Sequence, residues 1–117
     1  QQFKTMECNP LVYNGFDEML VAGLSMGADG GIGSTYNFMP QKYVDMFRLF
    51  NEGNIKEAQK IQYEANEIIA LLIKYGVFAM EKALLEEMGI EMNGCRKPYT
   101  ALSEEGKKVC KNIIKTL

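Results

Sequence analysis

The chain has 117 residues, 47% of them hydrophobic and 24% charged, with a formal net charge of −2 and a pI near 5.2. That length and composition fit one soluble globular domain with a modest core, and they exclude nucleic acid as the main partner, because no surplus of Lys and Arg is present to neutralise phosphates. No apolar run approaches the roughly 20 residues that span a bilayer, so the sequence predicts a cytoplasmic protein with no membrane partner.

Gln1 to Glu7 carries helix formers without an N-cap before them and reads as the tail of a helix, closed by Asn9-Pro10. Leu11-Val12-Tyr13 then reads as a strand, Asn14-Gly15 as a polar turn, and Phe16 to Met26 as an amphipathic helix. Asp17 and Glu18 fall in its first turn, where negative charge meets the positive end of the helix dipole. Leu20, Val21 and Leu24 supply its apolar stripe, and Gly27 suits the left-handed residue that ends it.

Gly30-Gly31-Ile32 is a second short strand and Gly33-Ser34 a second turn, with Ser34 placed as its cap. The glycine cluster from Gly27 to Ser34 lacks the Gly-Lys-Ser/Thr ending of a phosphate-binding loop. If the two strands are parallel neighbours, the two turns lie side by side at their carboxyl ends. Gly15, Asp17 and Glu18 stand on the first and Gly33, Ser34 and Thr35 on the second, a set of small and polar groups suited to a polyhydroxylated or anionic ligand.

From Pro40 the pattern is helical. Tyr43, Phe47 and Phe50 share the face of one helix, and Asn51-Glu52-Gly53 breaks it. Asn54 with Glu57 resembles a capping box opening the next, whose apolar face is Ile61, Ala65, Ile68 and Leu72 up to Gly76. Val77 to Met88 forms another helix ending at Gly89, and Met80, Met88 and Met92 read as core filler. After an irregular linker from Ile90 to Leu102, Ser103 opens a last helix with Val109, Cys110, Ile113, Ile114 and Leu117 on its buried side and four lysines on its solvated side.

The chain contains no histidine, so any acid or base must be a carboxylate, Tyr, Lys or Cys. Cys8, Cys95 and Cys110 are odd in number and widely spaced, which predicts reduced thiols, no disulfide and no metal site.

The runs VYNGFDE and GADGGIGSTYN, with GCRKPYT near the end, resemble the C-terminal part of the N-acetylneuraminate lyases, the sialic acid aldolases. These form a branch of the class I pyruvate-dependent aldolase family, which also holds the dihydrodipicolinate synthases. The resemblance runs over essentially the whole chain. Asn-Gly-aromatic-Asp-Glu marks the sialate branch, whereas synthase-type relatives carry Ser-Gly-Asp-Asp after the equivalent strand.

The resemblance implies an α/β fold, the C-terminal part of a (β/α)8 TIM barrel. Residues 1–50 would hold the last two strands with their helices, and residues 51–117 a C-terminal helical extension. It implies reversible cleavage of N-acetylneuraminate to N-acetylmannosamine and pyruvate through a lysine Schiff base, with no metal or organic cofactor, in a homo-oligomer that is tetrameric in the family. It assigns sugar binding to Gly15, Asp17, Glu18, Gly33 and Ser34. Carboxylates and backbone groups can take several hydroxyl protons and impose a geometry that an apolar wall cannot. The family's imine-forming lysine, assisting tyrosine and carboxylate-holding Thr-Gly-Glu segment have no counterpart here, so no catalytic residue is expected in this chain.

Two other readings stand beside this one: a non-catalytic half-barrel or helical module that self-associates, and an aldolase acting on another sugar-derived keto acid. As a barrel remnant, the chain would leave Leu20, Val21 and Leu24 short of packing.

Overall fold

A computed structural model describes residues 2–117. Gln1, where the predicted helix tail begins, lies outside them. Gln2–Thr5 forms a single 3₁₀ turn with no buried residue, so no tertiary packing sustains a longer helix.

Two strands, β1 (Tyr13–Asn14) and β2 (Gly30–Gly31), pair in parallel with Tyr13 opposite Gly30. Regular pairing is shorter than predicted and begins later on the first strand. The ladder continues at both ends, with Asp29 N donating to Val12 O at 2.7 Å and Ile32 N to Asn14 O at 2.9 Å. The parallel arrangement sets both following turns on one side, as their spacing required.

The continuous helix expected over Phe16 to Met26 is broken. Asp17–Met19 is a 3₁₀ turn, and α1 (Leu20–Ser25) starts only after Met19, whose φ of −130° and ψ of 26° lie off the helical region. Gly27 ends the helix at φ 92°, the left-handed position assigned to it. Leu20, Val21 and Leu24 are 2%, 5% and 6% exposed, so the expected loss of packing on this stripe does not occur. The next helix, α2 (Pro40–Asn51), covers α1. Pro40 takes its first position, but its buried face is Tyr43 and Met46, with Phe47 exposed and Phe50 half-buried.

The long helix α3 (Ile55–Tyr75) starts with Ala58 N donating to Asn54 O, while the Asn54 amide turns to Glu52 rather than serving the predicted capping box with Glu57. Its buried positions are Ala58, Gln62, Ala65, Ile69 and Leu72. The face is therefore rotated from the predicted one, with Ile61 and Ile68 half-buried and an amide, Gln62, turned inward.

The chain forms two compact units that divide between Asn66 and Glu67, inside α3. The reason lies in the first half of α3, whose Gln62 and Asn66 bond to the Asp17–Glu18 turn and so belong with the strands.

In the second unit α4 (Val77–Glu87) packs on α5 (Glu104–Ile114). Leu72, Met80, Leu84, Cys110 and Ile113 are buried. Of the three methionines read as core filler only Met80 is buried; Met88 is exposed and Met92 half-buried. Cys110 is core as expected, with its sulfur 3.5 Å from that of Met80, and burial, followed by the negative charge of Glu87, pushes its thiol up to about 11. Ser103 caps α5, accepting from Gly106 N at 3.1 Å, a contact worth about 1 kcal/mol. Leu117 is exposed, because the helix ends at Ile114.

Candidate functional site

The two turns that leave the carboxyl ends of β1 and β2 are joined by one carboxylate. Asp17, only 7% exposed, reaches from the first turn to the second, and its Oδ2 accepts from Thr35 N at 3.1 Å and from Thr35 Oγ1 at 2.6 Å. The Thr35 hydroxyl also lies 2.6 Å from the Tyr43 hydroxyl. Since its single proton goes to Asp17, Tyr43 is the donor to Thr35, which gives a directed chain Tyr43 to Thr35 to Asp17. The Tyr43 ring is stacked on Tyr36, with centroids 3.7 Å apart.

Gly33 is required by this arrangement through space and not through conformation, since its φ of −153° is ordinary extended backbone. Any Cβ at this position would run into the Asp17 carboxylate. Gly31 similarly admits the Tyr36 hydroxyl and Leu20, which a side chain there would displace. Two buried oxygens in this cluster, Asp17 Oδ1 and the Tyr36 hydroxyl, make no hydrogen bond.

Burial, followed by the negative charge of Asp17, pushes the Tyr36 phenol from 10.0 up to about 12. Burial also raises Tyr43. Between those two Tyr36 values the unfolded chain gives up a proton that the folded chain keeps, so the Tyr36 contribution to stability is intact below about pH 10 and falls as the pH rises toward 12, with the raised Cys110 and Tyr43 adding losses of the same sign. Thermal unfolding across that range should show the fall, and Tyr36→Phe should make it shallower, leaving the share of Tyr43 and Cys110; an equal slope in the variant would show that Tyr36 does not contribute.

The main-chain carbonyls of the same turn are held from α3. Gln62 Nε2 donates to Asp17 O at 3.0 Å and to Asn66 Oδ1 at 3.0 Å, and Asn66 Nδ2 donates to Glu18 O at 3.1 Å. Gln62 Oε1 accepts from Val21 N at 3.2 Å. Asn14 braces the approach to the turn by donating to Phe16 O at 2.7 Å, with its side chain packed on Gly23.

Of the five residues predicted to bind sugar, Asp17 and Gly33 pack against each other where Asp17 bonds to Thr35 across the two turns. Glu18 beside them is half-buried, while Gly15 and Ser34 are exposed on their respective turns. Gly15 lies at a cleft of about 270 Å³ shared with Asn14 and Phe16. Tyr43, Gln62 and Asn66 are not among the site residues predicted from the sequence. Gln62 falls on the stripe of Ala58, Ala65, Ile69 and Leu72 that the folded chain buries, a face rotated from the one that local spacing predicts, and Tyr43 was read as part of an apolar face.

Four lysines are held by partners of their own. Lys4 Nζ is 3.0 Å from both oxygens of Asp29 and 3.3 Å from Pro10 O, and Asp29 Oδ2 accepts from Val12 N. Lys4 is thus tied at the amino ends of the strands, and it also lines the cleft that holds Gly15. Lys42 pairs with Glu64, Lys82 donates to Gly94 O, and Lys107 pairs with Glu104.

The family model for the dihydrodipicolinate synthetase family matches residues 1–117. N-acetylneuraminate lyase of Escherichia coli O1:K1 is 43% identical over 106 residues, which are 90% of this chain and 36% of that protein. The chain therefore spans little more than a third of the length of this relative. The Clostridium difficile protein CdNal, crystallised in complex with mannosamine, superposes with a TM-score of 0.91 at 33% identity, covering 98% of this chain and 40% of that one. The catalytic lysine mutant of Ruminococcus gnavus sialic acid aldolase superposes with a TM-score of 0.89 at 34% identity over 97% of this chain and 38% of its own. With the match over its whole length and these relatives beside it, the chain belongs to the dihydrodipicolinate synthetase family.

Proposed function

We propose that the chain is the C-terminal segment of an N-acetylneuraminate lyase, comprising the last two strand-helix units of the barrel at residues 1–50 and the helical extension at 51–117. The complete enzyme cleaves N-acetylneuraminate reversibly to N-acetylmannosamine and pyruvate, and this segment supplies the wall that recognises the sugar. The observation that carries the reading is the Asp17–Thr35 bridge, which brings the polar groups of both turns together at the carboxyl ends of a parallel strand pair. Ligands in barrels and open α/β sheets sit at that end.

In this wall Glu18 takes hydroxyl protons of the polyol, and Asp17 contributes while fixing the second turn. Gly15, Gly33 and Ser34 offer backbone groups and a small hydroxyl where bulk would shut out the sugar. The covalent step belongs to a lysine of the complete enzyme outside this segment. An imine requires a neutral amine facing the substrate carbonyl, and Lys4 is held by Asp29 at the opposite end of the strands.

Glu18→Gln in the complete enzyme tests the reading. Loss of a charged hydrogen bond is worth on the order of 1.5–3 kcal/mol, so kcat/KM for N-acetylneuraminate should fall about ten- to a hundredfold relative to a shorter 2-keto acid lacking the polyol tail. Equal falls on the two substrates would make the turn merely structural.

A further inference from the structure

We infer that Gln62 and Asn66, one turn apart on α3, are positioning residues that set the direction of the Asp17–Glu18 sugar-binding turn. The inference rests on the proposed role of that turn and adds to it a source of substrate specificity on α3, outside the two turns.

In a regular helix over Phe16 to Met26, Val21 N would donate to Asp17 O, four residues earlier. Here the helix is broken at Met19, and both groups are buried with that bond unmade. The primary amide of Gln62 is inserted between them. Its Oε1 takes the Val21 N–H and its Nε2 serves the Asp17 carbonyl, so one side chain substitutes for a missing peptide link.

The second Nε2 proton goes to Asn66 Oδ1, which orients Asn66 to hold the carbonyl of Glu18. Gln62 is 5% exposed and its amide is used at Oε1 and at both Nε2 protons. A buried amide costs stability unless paired in this way, and an apolar residue would suit the stripe formed by Ala58 and Ala65. The broken helix is also what allows the Asp17 carboxylate to reach Thr35. Without the inserted amide, Asp17 O and Val21 N are free to pair with each other, the turn closes toward regular helix, and both carboxylates swing away from the second turn.

The test compares Gln62→Leu, Gln62→Glu and Asn66→Ala with Glu18→Gln in the complete enzyme, each assayed on N-acetylneuraminate and on a shorter 2-keto acid. Gln62→Glu keeps the acceptor for Val21 and loses the donor for Asp17. Asn66 is half-buried, so Asn66→Ala keeps the test open should Gln62→Leu fail to fold.

The expected result is a fall of about tenfold in the ratio of kcat/KM values for Gln62→Leu and about threefold for Asn66→Ala, expressed mainly in KM for the sugar substrate, with Gln62→Glu between them. Equal losses on both substrates, or an unchanged ratio in Asn66→Ala and Gln62→Glu, would overturn the inference. If Glu18→Gln shifts the ratio and the α3 variants do not, the positioning role alone falls. If Glu18→Gln leaves the ratio unchanged, the sugar-wall reading falls and this inference falls with it.

Discussion

Asp17→Ala in the proposed complete enzyme is expected to lower kcat/KM for N-acetylneuraminate about ten- to a hundredfold relative to a shorter 2-keto acid, and to lower the unfolding midpoint as well. Both effects come from one side chain, because Asp17 belongs to the proposed sugar wall and also accepts from Thr35 N and Oγ1. Truncation leaves the buried Thr35 N–H without its acceptor, which costs about 1–3 kcal/mol, and releases the second turn from the first. The Tyr43–Thr35 hydroxyl pair survives but no longer ends on a charge. Paired kinetics and thermal unfolding check the two effects separately. A stability loss with an unchanged substrate ratio would leave Asp17 as a brace only.

Gly33→Ala should come close to the same result without touching a polar group. The added methyl occupies the space of the Asp17 carboxylate, which is fixed by two hydrogen bonds to Thr35 and cannot retreat without breaking them. Overpacking of this kind costs about 1–3 kcal/mol, and the displaced carboxylate removes the same recognition as Asp17→Ala. The two substitutions therefore cannot add. The three atoms nearest a methyl at position 33 all belong to the Asp17 carboxyl and are gone once Asp17 is alanine, so the double variant should be about as impaired as Asp17→Ala alone. Additive losses would show that Gly33 acts through some other contact.

The outline of the helices was legible because it depends on local signals. Glycine at 27, proline at 40 and serine at 103 mark a helix end, a helix start and a cap by backbone geometry alone, and each occupies the position assigned to it. The parallel strand pair followed from two short runs separated by one helix length. The break at Met19 was not legible, because the apolar spacing of Leu20, Val21 and Leu24 is the same whether the helix begins at Phe16 or at Leu20. It depends on an amide that stands 41 residues from Val21 in the sequence.

The same distance hid the roles of Tyr43 and Gln62, which local periodicity assigns to an apolar stripe or to none. Gly15, Asp17, Glu18, Gly33 and Ser34 were set on the two turns by the sequence pattern, and the family resemblance added the expectation that they bind sugar. The residues that hold them came from hydrogen bonds that only the folded chain displays.

If this segment recognises the sugar while the covalent chemistry lies outside it, borohydride trapping with pyruvate separates the two roles most directly. The complete enzyme and the isolated residues 1–117 are each incubated with pyruvate, reduced, and mapped by peptide mass spectrometry. The prediction is a stoichiometric adduct on a lysine of the complete enzyme outside these residues, and none on the isolated chain. A stoichiometric adduct on Lys4, or on any other lysine of this chain, would contradict it.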